Sequence, residues 1–101
     1  MNLVMSHNAV DKRFEAHDDG TLAGFAAYML AGDLIIFSHT EVDPSYEGRG
    51  VGGSLAREGL DDARGRGLKV MPLCPFIKAW IERHGEYGDL LFNAPPSRVT
   101  D

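Results

Sequence analysis

The spacing of hydrophobic and polar positions changes rhythm once along this chain, near residue 50. Before it, residues 10–17 alternate weakly around Phe14 and Ala16, which predicts an edge strand. Asp18-Asp19-Gly20-Thr21 is turn chemistry, so the run Leu22 to Leu30 becomes the partner strand of a hairpin. Ala31-Gly32-Asp33 turns the chain again. Leu34 to Val42, rich in β-branched and aromatic residues, then predicts a central strand and completes an antiparallel meander of three.

From Val51 the apolar or small residues fall at 51, 55, 56, 59, 60 and 63, while Arg57, Glu58, Asp61, Asp62 and Arg64 take the other side. That is a helical period with one stripe to bury. Gly65 and Gly67 end the helix, and Leu68 to Leu73 follows as a short apolar strand that shares the sheet. Cys74 closes the strand, and Pro75 suits the first turn of a second helix over residues 75–84. Tyr87 and Leu90-Leu91-Phe92 form an apolar segment that must dock on the body, and Pro95-Pro96 opens a loose tail. The predicted order is β-β-β-α-β-α: an α/β fold on a mixed sheet, one domain over residues 1–94 with a tail over 95–101.

Composition narrows the functional classes. A chain of 101 residues supports one modest core. No apolar run approaches the roughly 20 residues of a membrane span, and the first residues lack the basic start of a signal peptide. A lone cysteine excludes an internal disulfide and fits the cytoplasm. The net charge of −5 argues against nucleic acid as a partner. Residues 1–46 carry two basic and seven acidic side chains, whereas residues 47–69 carry five basic and four acidic. Only the middle segment leans positive, as an anion site requires. The four histidines and the cysteine show no metal-ligand spacing, so no metal is expected.

That middle segment contains Tyr46-Glu-Gly-Arg-Gly-Val-Gly-Gly-Ser54, where four of nine residues are glycine and a helix begins. A Gly-rich turn opening a helix bares backbone N–H groups at the positive end of the helix dipole, so residues 47–54 read as a phosphate cradle. Gly48, Gly50 and Gly53 match a dinucleotide spacing, but several residues separate them from the strand and position 70 is Val, not an acid. A phosphate-binding P-loop fails because Ser54 stands where its lysine belongs.

A third pattern fits better. Strand, proline turn, Glu47-Gly48-Arg49-Gly50-Val51-Gly52, helix, strand, helix resembles the core of the GNAT superfamily of acyl-CoA-dependent N-acetyltransferases. His39-Thr40-Glu41-Val42, Pro72-Leu73-Cys74-Pro75-Phe76 and Arg83-His84 with Glu86-Tyr87 extend the resemblance to a short stand-alone subfamily, over roughly residues 8 to 92. One departure stands out: Glu47 occupies the position where the superfamily carries Gln or Arg.

The resemblance implies acetyl-CoA as co-substrate. Its pyrophosphate would be held by Gly48, Arg49, Gly50, Val51, Gly52, Gly53 and Ser54, and its pantetheine arm by strand backbone at Val42. Cys74, at a helix N-terminus, would be an acetyl-accepting nucleophile, a general acid for the departing thiolate, or a cofactor contact. Glu41 and His39, which alternation places on one face with Asp43, are candidate bases for the incoming amine. Tyr87 would be a general acid or a lock for the C-terminal segment, and Trp80 reads as core. Because a tight turn joins the first two strands, the acceptor site should be open, suited to a protein or peptide amine or completed by a partner subunit. The alternative is a non-catalytic acyl-CoA-binding or sensing module.

Overall fold

The computed structural model describes residues 1–93, so the expected tail over 95–101 lies outside the described residues. Five strands form one sheet in sequence order: β1 (Leu3–Asn8), β2 (Arg13–Asp18), β3 (Thr21–Ala31), β4 (Leu34–Val42) and β5 (Lys69–Pro72). The first four are antiparallel, and β5 runs parallel to β4. Helix α1 (Val51–Gly65) makes the crossover, and α2 (Pro75–Arg83) follows β5.

The meander has four strands, not three. Residues 9–12 are a turn, closed by Asp11 N–H donating to the Asn8 side chain at 3.0 Å, and the edge strand is β1. Only Leu3 and Met5 of β1 pack against the core as partly buried hydrophobics, too short an apolar pattern to stand out in sequence. What seats the strand is His7, whose ring stacks on Phe14 at 4.3 Å and hydrogen-bonds the Tyr28 hydroxyl. The β2–β3 turn takes positive φ at both Asp19 (47°) and Gly20 (85°), the twist a two-residue hairpin needs.

The core lies between the sheet and the two helices. Phe14, Ile35, Phe37, Val51, Leu55, Leu60, Val70 and Ile77 are its largest fully buried side chains. Gly59 lets α1 settle on Phe37, because a Cβ there would stand 2.8 Å from the ring. The segment Leu90-Leu91-Phe92 docks as expected: Leu90 is buried, and Phe92 N–H donates to the Val70 carbonyl at 2.8 Å on the outer side of β5.

Two register shifts shape the sheet. Ala23 is the extra residue on β3 and Ser38 the extra residue on β4. The second keeps Thr40 and Val42 on the face that Ile35 and Phe37 bury, and sends His39 and Glu41 to the face opposite α1.

Candidate active site

The site begins where β4 loses a neighbour. β5 pairs with β4 only from Leu34↔Lys69 to Phe37↔Pro72. The next two N–H groups, Leu73 and Cys74, both converge on the Phe37 carbonyl at 3.0 Å, and the ladder ends. On its other edge β4 stays paired, Phe25 opposite Glu41, with Asp43 N–H donating to the Ala23 carbonyl at 2.8 Å. Antiparallel alternation then turns the backbone groups of Thr40 and Val42 toward the gap that β5 has left. Among the described residues the β4–β5 ladder offers these groups no partner, and Val42 lines a cleft.

Asp43 closes the strand by capping a single 3-10 turn over Pro44–Tyr46: its side chain accepts from Ser45 N–H at 2.9 Å and from the Ser45 hydroxyl. These hydrogen bonds hold the Asp43 carboxyl below the usual range. Tyr46 in turn donates its hydroxyl to Asp18 at 2.8 Å, which anchors the loop to the β2–β3 turn and holds the phenol above its usual range.

The glycines of the loop serve two purposes. Gly48 (φ 76°) and Gly50 (φ 83°) lie in the left-handed region and have open space around them, so they are needed for backbone shape. Gly52 and Gly53 are needed for packing: a Cβ at 52 would stand 2.8 Å from the Phe76 ring, and one at 53 would stand 3.3 Å from Trp80 Nε1.

Gly50 is the N-cap of α1 and supplies no side-chain cap. The first hydrogen bond of the helix is Ser54 N–H to the Gly50 carbonyl at 3.1 Å, so the N–H groups of Val51, Gly52 and Gly53 have no intrahelical acceptor. Arg49 sits beside them, its guanidinium 5.5 Å from the Tyr46 ring centre. Val42, Gly50, Gly52, Gly53 and Phe76 line one cleft of about 320 Å³ that runs from this helix end to the gap beside β4. Glu47 lines it too and is exposed. Three oriented donors at a helix N-terminus, a nearby arginine and an unpaired strand edge fit a diphosphate joined to an amide-bearing arm.

Cys74 is buried (4% exposed) at the N-cap of α2. Its thiol does not cap the helix but donates to the Thr40 hydroxyl at 3.3 Å. Thr40 was missed as a partner because alternation places it only opposite Glu41, and nothing in the sequence links position 40 to 74. His39 and Glu41 form their own pair, Nε2 to Oε1 at 3.2 Å, with both side chains more than half exposed. Two candidate groups thus flank the gap: the thiol with Thr40 on the helix side, the imidazole–carboxylate pair on the other.

Tyr87 lies away from this gap, 4% exposed against α1. Its hydroxyl donates to Asp61 at 2.6 Å and accepts from Arg57 at 3.3 Å. Burial first, and the Asp61 hydrogen bond second, push its phenol upward. Arg64 adds a fork to Asp89 (2.9 Å) and a bond to the Glu86 carbonyl (2.8 Å), so this cluster fastens the C-terminal segment. Among the described residues no group of three or more His, Cys, Asp or Glu side chains is arranged to hold a metal, and no helix is long and apolar enough to cross a membrane.

The open edge of β4 and the Gly-capped end of α1 thus share one cleft. The family described as GCN5-related N-acetyl-transferase matches residues 13–90, and the chain belongs to it. It is similar to N-alpha-acetyltransferase RimI of Mycobacterium tuberculosis, 48% identical over 54 residues, which is 50% of this chain and 34% of RimI. The chain thus spans only about a third of that relative's length. In structure it resembles a GCN5-like protein from Staphylococcus aureus, with TM-score 0.72, 24% identity and coverage of 99% of this chain and 98% of that one. The ribosomal-protein-S18-alanine N-acetyltransferase of Escherichia coli has TM-score 0.64 and 24% identity over 72% of this chain and 50% of its own.

Proposed function

We propose that this chain transfers an acetyl group from acetyl-CoA to the amine of a protein or peptide, by direct attack within a ternary complex. The observation that carries the reading is the single cleft joining the free first-turn N–H groups of α1 to the unpaired edge of β4 and the mouth beside Phe76. Acetyl-CoA supplies the activated acyl group when bound. The N–H groups of Val51, Gly52 and Gly53, with Arg49, would hold its diphosphate. Backbone groups of Thr40 and Val42 would align its amide arm and polarise the acyl oxygen.

Glu41, paired with His39, takes the proton from the incoming ammonium on the open side of the sheet. Cys74, whose S–H already points at a hydroxyl acceptor, supplies a proton to the departing thiolate from the helix side. A shallow cleft of about 340 Å³ lined by Leu22, Phe25, Glu41 and Asp43 is where the amine would arrive. Its open shape suits a chain end better than an enclosed small molecule, and RimI is named an N-alpha-acetyltransferase. A thiol used in its reduced form supports the cytoplasm as the compartment of this reading.

Glu47 favours a second reading, a non-catalytic acyl-CoA-binding module, because its carboxylate lines the diphosphate cleft. One experiment separates the two. The purified chain is mixed with acetyl-CoA and a set of peptides with free N-termini, and free thiol is followed over time. Thiol release that requires peptide and falls in Glu41→Gln and Cys74→Ala supports the transferase; binding of acetyl-CoA without release supports the binding module.

A further inference from the structure

The sheet face turned away from α1 carries His39 and Glu41, and the strand register sets their neighbours on it. Phe25 lies directly opposite Glu41 on β3, and Glu15 lies opposite Phe25 on β2. The adjacent row runs Arg13, Ala27, His39. Phe25 lines the amine cleft together with Glu41 and is flanked by two charged or ionisable groups. The His39 ring centre stands 6.0 Å from its own, and the Arg13 guanidinium crosses from the adjacent row to lie over it at 4.6 Å. Across this one ring, a carboxylate on β4 faces a cation from β2.

The charges on that face are not equally occupied. Glu15 is buried with both oxygens engaged: Oε2 accepts from Asn8 at 3.0 Å and from Arg13 Nε at 2.6 Å, and Oε1 lies 3.7 Å from His17 Nε2. Arg13 gives Glu15 only its Nε–H. Its remaining N–H groups have no acceptor among the described residues, and its side chain is 29% exposed. A guanidinium can only donate, and its planar fork matches a carboxylate. Resting on the Phe25 ring orients that fork before any ligand arrives. Neighbouring strands lie about 4.8 Å apart, so the Glu41 and Arg13 head groups are separated by one to two such steps, roughly 5–10 Å. In an extended peptide, at about 3.3 Å per residue, the same length separates the terminal amine from an acidic side chain on the second residue.

We infer that Arg13, seated on Phe25, selects acceptors that carry a carboxylate close to the amine: peptide N-termini with Asp or Glu as the second residue. Glu41 receives the amine, the Arg13 fork receives the acidic side chain, and the Phe25 ring fills the space between them. A basic second residue meets the guanidinium and is repelled. The inference rests on the proposed transfer to a peptide amine, of which Arg13 and Phe25 are then specificity-determining residues.

The intact chain is assayed with acetyl-CoA and peptides identical except for Glu, Gln or Lys as the second residue, following free thiol. The Glu peptide should have a kcat/KM at least about 10-fold above the Gln peptide, the scale of one charge-assisted hydrogen bond, with the Lys peptide lowest. Arg13→Gln should erase the difference between Glu and Gln. Arg13→Glu should put the Lys peptide first, an inversion that a merely structural arginine does not produce. Phe25→Leu, which leaves the ion pair with Glu15 in place, should shrink the Glu preference by releasing the fork. Each variant is judged on a ratio between peptides, so lost stability cancels. Equal turnover of the Glu and Gln peptides by the parent, or a Glu preference that survives Arg13→Gln, overturns the inference while leaving the transferase reading intact. No thiol release with any of the peptides removes the peptide acceptor itself and overturns the inference with it.

Discussion

The two halves of β4 follow different rules. From Leu34 to Phe37 the strand has a neighbour on each edge, and Ile35 and Phe37 are fully buried. From Thr40 to Val42 it has one neighbour, and at Val42 it lines a cleft. The switch takes one extra residue, Ser38, and one carbonyl, Phe37, on which the last two N–H groups from the β5 side converge. A strand can thus spend one half on stability and the other on binding, provided a helix end lies opposite the open half. It follows that substitutions in the first half should cost stability and those in the second half activity.

Phe37→Ala is the strongest test of the first half. Its ring touches Gly59 and sits among Phe14 and Tyr28, so its loss should destabilise the fold by about 3–5 kcal/mol in denaturant titration. A cost under about 1 kcal/mol would mean that the core does not need this half of the strand. Glu41→Gln tests the second half: kcat/KM with a peptide acceptor should fall by about 100-fold while stability changes by less than about 0.5 kcal/mol. A change in melting with unchanged turnover would reverse the comparison.

Gly50→Ala sharpens the role of the helix end. No atom lies within 4 Å of the added methyl, so the cost is purely that of a left-handed φ, roughly 1 kcal/mol, together with weaker CoA binding. Gly52→Ala should have a different cause, collision with Phe76, and should be relieved by shortening that ring to Leu. The smallest effect concerns Glu15, buried on β2 opposite Phe25. Hydrogen bonds from Asn8 first, and from Arg13, hold its carboxyl below the usual range. A carboxyl lowered in the folded state stabilises the protein above its unfolded pKa and loses that contribution as pH falls through the folded value. Glu15→Gln should therefore be less stable than the parent at neutral pH, and the two should converge as pH drops below about 4.

Much of this was legible in the sequence. The period change near residue 50, the Asp19-Gly20 turn and the Pro75 helix start each rest on local chemistry, and each stands in the structure. β1 was not legible, because its docking depends on His7 meeting Phe14 and Tyr28, contacts set by tertiary pairing. The Gly loop was recognised as a helix-opening turn, but the tasks of Gly52 and Gly53 depend on two aromatic side chains more than 20 residues away. Glu41 and His39 were placed on one face by alternation, and they do pair. Thr40 beside Cys74 was out of reach, since it follows from the Ser38 bulge and the end of β5, neither of which has a local signal.

The central claim is that the free end of α1 and the open half of β4 hold one ligand together. Amide NMR of the labelled chain during titration with CoA tests it most directly. The account predicts that the N–H signals of Val51, Gly52, Gly53, Thr40 and Val42 shift together along one saturating curve, while those of Leu34 to Phe37 hold still. Shifts confined to one of the two elements, or centred elsewhere on the sheet, would contradict it.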